Sequence, residues 1–224
     1  MDLRIQQAFT SDEDVKAYTL SLDDNEVLSA VTSSDIVVTD WMEGSKKLLD
    51  NTKKGNKIIV SLSVENINGV RPANKPYDLL VMSVGHLTCF LYQMPEMYKN
   101  SQKLPIGAPK LLKEFLESPK VIVVGVGIKK VAKTLRKVHG IKIYANNIFD
   151  LRDMAKKMYG ILDQDIDGLS RSVLGKSLSM KNKINWYVGG RSWGHISPEK
   201  VMYATAESKF RTELPLFFSW PGRN

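Results

Sequence analysis

Short runs of β-branched and aliphatic residues, bounded by turn residues, predict a set of buried strands. Four such runs cover residues 35–40, 58–64, 121–127 and 141–144. A hairpin is predicted over residues 79–92, because only Gly85-His86 separates two apolar runs there, as in a hairpin with a two-residue turn. Looser alternation at residues 3–5 and 18–20 predicts another pair of strands near the N-terminus.

Apolar residues at helical spacing, with capping residues at the ends, predict helices around these strands. The predicted helices cover residues 24–31, 109–116, 128–137, 150–158, 169–174 and 198–214. Strands come first and then alternate with helices, which favours a mixed α/β fold. We therefore expect one domain over residues 1–224, with an N-terminal extension or hairpin over residues 1–22 and a core over residues 23–218.

The composition is that of a globular protein. Hydrophobic residues make up 43% and charged residues 25% of the 224 residues, and no run approaches the 18 apolar residues of a membrane span. The N-terminal residues lack the basic start and apolar core of a secretory signal, and the single cysteine, Cys89, cannot form an internal disulfide. We expect an intracellular protein of the cytoplasm or nucleus.

The chain is basic, with 32 Lys and Arg against 24 Asp and Glu and a formal charge of +8. The basic residues form clusters at positions 46–47, 53–57, 129–137 and 176–183. Each cluster by itself is compatible with the solvated face of an ordinary helix or loop. Several clusters on one surface would instead bind phosphates with an affinity that depends on salt.

Several stretches, taken in chain order, resemble the motifs of the Werner-syndrome-like 3′–5′ exonucleases, plant members above all. They are Ile36–Asp40 for the first motif, the Leu79–Gln93 hairpin, Val123–Ile128 for the second motif, Phe149–Arg152, Leu174-Gly175 with Lys181 and Trp186, and Ile196–Ala204 in the final helix. The resemblance covers about residues 20–218. It implies an RNase H-like mixed β-sheet flanked by helices, in a single DEDD-type exonuclease domain.

The resemblance also implies a chemistry. Enzymes of this family cleave phosphodiesters with two divalent metal ions that four carboxylates hold. The first motif has Asp and, two residues later, Glu, so that both lie on one face of a strand. Asp40 matches the first position, but Met42 takes the second. Glu43 is one residue further on and points to the other face unless a β-bulge realigns it.

The second and third motifs also depart from the family pattern. Val131 stands where the second motif has its Asp. In the third motif, which has Tyr, three residues and then Asp, Tyr203 is present and Glu207 replaces the Asp. We expect Asp40, Tyr203 and Glu207 to face one vestigial cleft, with Asp40 and Glu207 as weak metal ligands at best.

These departures predict a nucleic-acid-binding domain of the exonuclease family, a pseudoenzyme whose two-metal hydrolysis is impaired. Phosphate contacts need only basic residues, so the resemblance favours binding of single-stranded RNA or DNA through Lys129, Lys130, Lys133 and Lys181. No cofactor is expected to bind tightly, and Mg²⁺ or Mn²⁺ would serve any remaining activity. Fewer carboxylates also mean less repulsion, so we expect a fold that does not depend on metal.

Two alternatives stay open. The chain is an active metal-dependent exonuclease on single-stranded RNA or DNA if Asp40, Glu207 and Glu43 hold a metal and Tyr203 orients water. It is a structural subunit if it pairs with an active relative as a homo- or hetero-oligomer. The apolar C-terminal residues 216–220 suit such an interface, unless they pack on their own domain.

Overall fold

The computed structural model describes most of the chain. The described residues are 3–8, 10, 14–23, 25–53, 55–65, 79–85, 88–93, 96–99, 102–105, 108–162, 164–178 and 196–218, with backbone alone for residues 96–99 and 102–105. Its strands are β1 Leu3–Ala8, β2 Val15–Leu22, β3 Asn25–Thr32, β4 Ile58–Glu65, β5 Leu79–Val84, β6 Thr88–Gln93, β7 Glu96–Lys99, β8 Gln102–Pro105, β9 Val121–Gly125 and β10 Ile148–Asp150. Its helices are α1 Asp35–Asp50, α2 Lys110–Leu116, α3 Ile128–His139, α4 Leu151–Tyr159, α5 Ile166–Leu174 and α6 Pro198–Phe217, with a 3₁₀ turn at Ala145–Asn147.

Eight strands form one mixed sheet in the order β1-β2-β3-β6-β5-β4-β9-β10. Strand β4 lies inside this sheet, antiparallel to β5 and parallel to β9. Strands β5 and β6 pair antiparallel, and β1 pairs antiparallel with β2, so the predicted hairpin and the predicted N-terminal strand pair are confirmed. Strands β7 and β8 form a separate pair.

Helices cover both faces of the sheet, because its strands alternate apolar residues between two cores. Val60 and Leu62 of β4 belong to a core with Met42 of α1 and with buried residues of α2 and α3. The opposite core contains buried residues of α4, α5 and α6, with Phe210 of α6 among them. Helix α6 is buried along nearly its whole length. The two layers explain why the central strands are apolar on both faces.

Three predicted elements are wrong. Residues 25–32 form a strand, not a helix, because Val27, Ser29 and Val31 are buried at every second position. Residues 35–40 begin helix α1 instead of forming a strand, because the buried positions Val38 and Met42 continue at helical spacing. Residues 141–144 are irregular, and only the three residues of β10 extend the sheet there.

The other predicted elements are confirmed. Strands β4 and β9 lie where β-branched runs predicted them. Asp150 caps the N-terminus of α4, and its carboxylate accepts a hydrogen bond from the Arg152 backbone N–H. Ser197 caps the N-terminus of α6, and Gly140 caps the C-terminus of α3 in a left-handed conformation. In the described part of the chain, no helix has the length and apolarity to cross a bilayer.

Candidate functional site

The structure separates Asp40 from the other predicted site residues. Asp40 is exposed on α1, and α1 packs on the sheet face opposite to α6, which carries Tyr203 and Glu207. Trp41 fixes α1 there by stacking on Phe90, with ring centroids 4.6 Å apart. The expectation that Asp40, Tyr203 and Glu207 face one cleft is therefore wrong.

The same placement corrects the two positions next to Asp40. Met42 is fully buried in the core beneath α1, and Glu43 is exposed on the same helix. Neither side chain lies on a strand, so the period-2 argument that linked them to a first motif does not apply.

Strand β4 is the element that matches the first-motif strand of the resemblance, because it directly precedes the hairpin of β5 and β6. Its residues that face α6 are Ser61 and Ser63, since Val60 and Leu62 face the opposite core. The Ser61 hydroxyl lies 2.7 Å from the Ser208 hydroxyl of α6. Two neutral serines, two residues apart on β4, therefore face α6.

A transverse row of small polar side chains holds α6 against the sheet. Cross-strand register places Ser29, Cys89, Ser83 and Ser61 side by side on β3, β6, β5 and β4. The hydroxyl of Ser208 lies 2.7 Å from those of both Ser61 and Ser83, and Ser29 pairs with Thr205 at 2.8 Å. These hydroxyl contacts bring the helix directly onto the strands at the level of Ser61.

Tyr203, Glu207 and Arg211 follow one another at four-residue spacing on α6 and are 4%, 7% and 5% exposed. Residues at this spacing lie on one face of a helix. Burial raises the pKa of Tyr203, and the neighbouring Glu207 carboxylate raises it further, so the phenol stays protonated at neutral pH. Arg211 Nη2 donates a hydrogen bond of 2.6 Å to Glu207 Oε2. Tyr203 and Glu207 therefore lie close together on one face of α6.

Val131, at the second-motif position, lies half-buried on the first turns of α3 and packs against the core beneath α1. Helix α3 follows a glycine turn in which Gly127 has a φ of 66°. Gly125 lets β9 approach β4 closely, because a Cβ there would lie 2.5 Å from the Leu62 carbonyl oxygen. Parallel strands β4, β9 and β10 end at the same edge of the sheet, and α3 begins there.

The outer face of α3 is uniformly basic. Between Ile128 and His139 the helix has no acidic residue. Its exposed cations are Lys129, Lys130, Lys133, Arg136 and Lys137; we call these five residues the α3 basic face. Lys129 Nζ lies 2.6 Å from Asp153 Oδ2 of α4, and this hydrogen bond raises the pKa of Lys129. The structure thus places three of the four predicted nucleic-acid-binding lysines on one helix.

The described residues do not fit a pair of divalent cations. Mg²⁺ and Mn²⁺ prefer anionic oxygen ligands, whereas Ser61 and Ser63 are neutral and Val131 has no ligand atom. Glu207 is already bonded to a guanidinium. Over the described part of the chain, no group of three or more His, Cys, Asp or Glu side chains is arranged to hold a metal ion.

Other predicted residues lie outside the described part of the chain. Lys181 and Trp186 belong to this group. At the C-terminal end, Phe218 is buried and its ring lies 5.9 Å from that of Tyr159, so this residue packs on its own domain. Phe217 is exposed.

Sequence reasoning missed Arg211 and the strand serines. The signal for the serines was present, because Ser61 and Ser63 alternate with apolar residues in the run just before the hairpin. A signal for Arg211 was its spacing of four residues from Glu207, which places a cation beside a carboxylate on a helix.

Comparisons with known proteins give a likeness in structure alone. No protein-family model matches the chain, and no curated protein does. Among solved structures, the EXD2 exonuclease domain soaked in Mn and GMP is 18% identical, with 84% of this chain and 88% of that chain covered and a TM-score of 0.44. The same domain soaked in Mg and dGMP is 19% identical, with 86% and 91% covered and a TM-score of 0.44.

A structure described as the apo form of the nuclease has a higher TM-score of 0.54, at 14% identity and with 71% of this chain and 70% of that chain covered. A likeness at this identity concerns the fold. Together with the mixed eight-stranded sheet and its two helical layers, it confirms the predicted fold class, an RNase H-like α/β fold.

Proposed function

We propose that this chain is a 3′–5′ exonuclease-family domain that binds single-stranded RNA or DNA through the α3 basic face and does not perform two-metal hydrolysis. The observation that carries the proposal is the charge of α3, whose exposed residues include five cations and no acid. A surface of one sign attracts a polyanion through its phosphates and needs no particular base sequence.

The position of α3 at the edge of the sheet supports a role in binding the end of a nucleic-acid strand. Ligands of parallel α/β sheets bind beyond the carboxyl ends of the strands, and α3 begins at the edge where β4, β9 and β10 end. Lys129 and Lys130 lie in the first turn of α3 at this edge. A nucleic-acid strand that follows α3 would therefore bring its end towards Ser63 near the carboxyl end of β4.

The proposed loss of hydrolysis follows from the absence of carboxylates at the positions where metal ligands are expected. Two-metal catalysis needs cations that clamp the attacking and leaving oxygens, and direct carboxylate ligands hold those cations. Removing a residue that only orients a metal ligand already costs about 10–100-fold in metal affinity or activity. Serines at positions 61 and 63 and valine at position 131 remove three direct ligands, so we propose that neither Mg²⁺ nor Mn²⁺ binds tightly here.

The test is a paired assay on purified protein. Fluorescently labelled single-stranded RNA and DNA are followed by anisotropy for binding and by denaturing gels for shortening, with Mg²⁺, Mn²⁺ or EDTA. We expect binding under all three conditions and no shortening. Shortening that requires metal and that Glu207→Gln abolishes would establish the active alternative instead. Absence of binding at low salt would overturn the nucleic-acid role.

A further inference from the structure

Glu207 and Arg211 form a buried ion pair on α6 that the binding role of α3 does not explain. Their side chains are 9% and 6% exposed, and Arg211 Nη2 lies 2.6 Å from Glu207 Oε2. A buried carboxylate without a partner is strongly unfavourable. In the resemblance, the position of Glu207 is that of a carboxylate whose partner is a divalent cation.

We propose that Arg211 takes the place of a divalent metal ion beside Glu207. Its guanidinium neutralises the Glu207 carboxylate, so that α6 packs on the sheet without a bound metal. The inference rests on the proposed function in one respect, the assignment of Glu207 to the third motif. It adds a positioning role for a residue that the motif comparison does not include.

The contacts around Ser208 support this inference. Ser208 follows Glu207 directly on α6 and makes hydrogen bonds of 2.7 Å with Ser61 of β4 and Ser83 of β5. The three serines are neutral, and the charges of Glu207 and Arg211 cancel. Together these five side chains therefore add no net charge to the interface between α6 and the strands. With neutral serines on β4, one cation is enough for the one remaining carboxylate.

The geometry also accounts for the choice of arginine. A guanidinium remains charged at every accessible pH and bonds carboxylates through a planar set of donors. Four-residue spacing on one helix places it beside Glu207 without the help of another element. The Arg211 Nε and the Ser63 hydroxyl are buried and have no hydrogen-bond partner in the part of the chain that the structure describes. The ion pair therefore rests on the hydrogen bond from Arg211 Nη2 to Glu207 Oε2.

Helix α6 provides a matched control. Lys209 is 3% exposed and pairs with Glu213 at 3.2 Å, again at four-residue spacing. Glu213 has a second cation, Lys176, at 3.4 Å. Loss of Lys209 therefore leaves a carboxylate that still has a partner, whereas loss of Arg211 removes the cation that bonds Glu207.

The test is a set of thermal melts of the full chain with Mn²⁺ or with EDTA. Arg211→Met should lower Tm by about 10 °C, because it strands a buried carboxylate. Glu207→Gln/Arg211→Met should recover most of that loss, since both charges are gone. Arg211→Lys should stay closer to the unaltered protein than Arg211→Met does, and Lys209→Met should lose less than half as much. The unaltered protein should melt at the same temperature with Mn²⁺ and with EDTA.

Three outcomes would overturn the inference. They are an equal loss in Arg211→Met and the double variant, an equal loss in Arg211→Lys and Arg211→Met, or a rise in Tm of the unaltered protein with Mn²⁺. If Arg211→Met does not fold, a folded double variant supports the inference and an unfolded one contradicts it. Oligonucleotide binding by the unaltered protein is measured separately, so a failure of the α3 role and a failure of the ion-pair role are distinguishable.

Discussion

Charge reversal on the α3 basic face has an effect whose size can be worked out in advance. Lys129 is bonded to Asp153, so the other four cations, if each neutralises a phosphate, give a salt dependence of about −2.8 in log K against log salt for a single strand. Raising salt from about 50 to about 200 mM should then weaken binding by roughly 50-fold. Lys133→Glu with Lys137→Glu removes two of these contacts. The slope should fall by at least about 1.4, and affinity at about 0.1 M salt by about 25-fold.

Anisotropy titrations at several salt concentrations measure both quantities. The matched control is Lys46→Glu with Lys47→Glu, which makes the same charge change at exposed positions of α1. This control should change the slope by less than half as much, and both variants should keep the Tm of the unaltered protein. Equal losses in the two variants would show that net charge, and not the α3 basic face, determines binding. An unchanged slope in the α3 variant would show that Lys133 and Lys137 do not contact phosphates.

Three stability predictions follow from single contacts. Gly125→Ala should lower the free energy of unfolding by about 1–3 kcal/mol, because the new Cβ would lie 2.5 Å from the Leu62 carbonyl oxygen. Gly44→Ala in helix α1 should instead raise it by about 0.5–1 kcal/mol, because nothing lies within 4 Å of a Cβ there. Denaturant titrations that rank the two variants in the opposite order would contradict this. Ser208→Ala should cost about 1–3 kcal/mol, because it removes the partner of two buried strand hydroxyls; an unchanged denaturation midpoint would count against the row. Burial raises the pKa of Cys89 above 9.0, so the native thiol should resist alkylation. The free energy of unfolding should fall as pH rises above that value, because only the thiol of the unfolded chain then ionises. Rapid alkylation of the native protein would contradict this.

The two interchanged elements show what local patterns can predict. Residues 36–39 are all β-branched and resemble a strand, but Met42, Ser45 and Leu49 continue a helical stripe through α1. Residues 25–32 have apolar side chains at a spacing that fits a helix, yet their burial alternates with period two. Tertiary packing overrides local propensity in both segments. A longer window would have favoured the helix at α1.

The candidate site was predictable where its residues lie on one element. Tyr203 and Glu207 share a helix, and so do Lys129, Lys130 and Lys133, so their sequence spacing fixed their proximity. The first-motif positions depend instead on which strand lies beside α6. Assignment to residues 36–40 placed Asp40 in the site, whereas the pairing of β4 with β5 and β9 places Ser61 there.

We propose that this fold binds no pair of divalent cations. Anomalous diffraction from crystals soaked in Mn²⁺ tests this proposal most directly. We expect no ordered ions between β4 and α6, with the Glu207 carboxylate still bonded to Arg211. Two Mn²⁺ ions about 3.5–4 Å apart and ligated by Glu207, the spacing of two-metal centres, would contradict it.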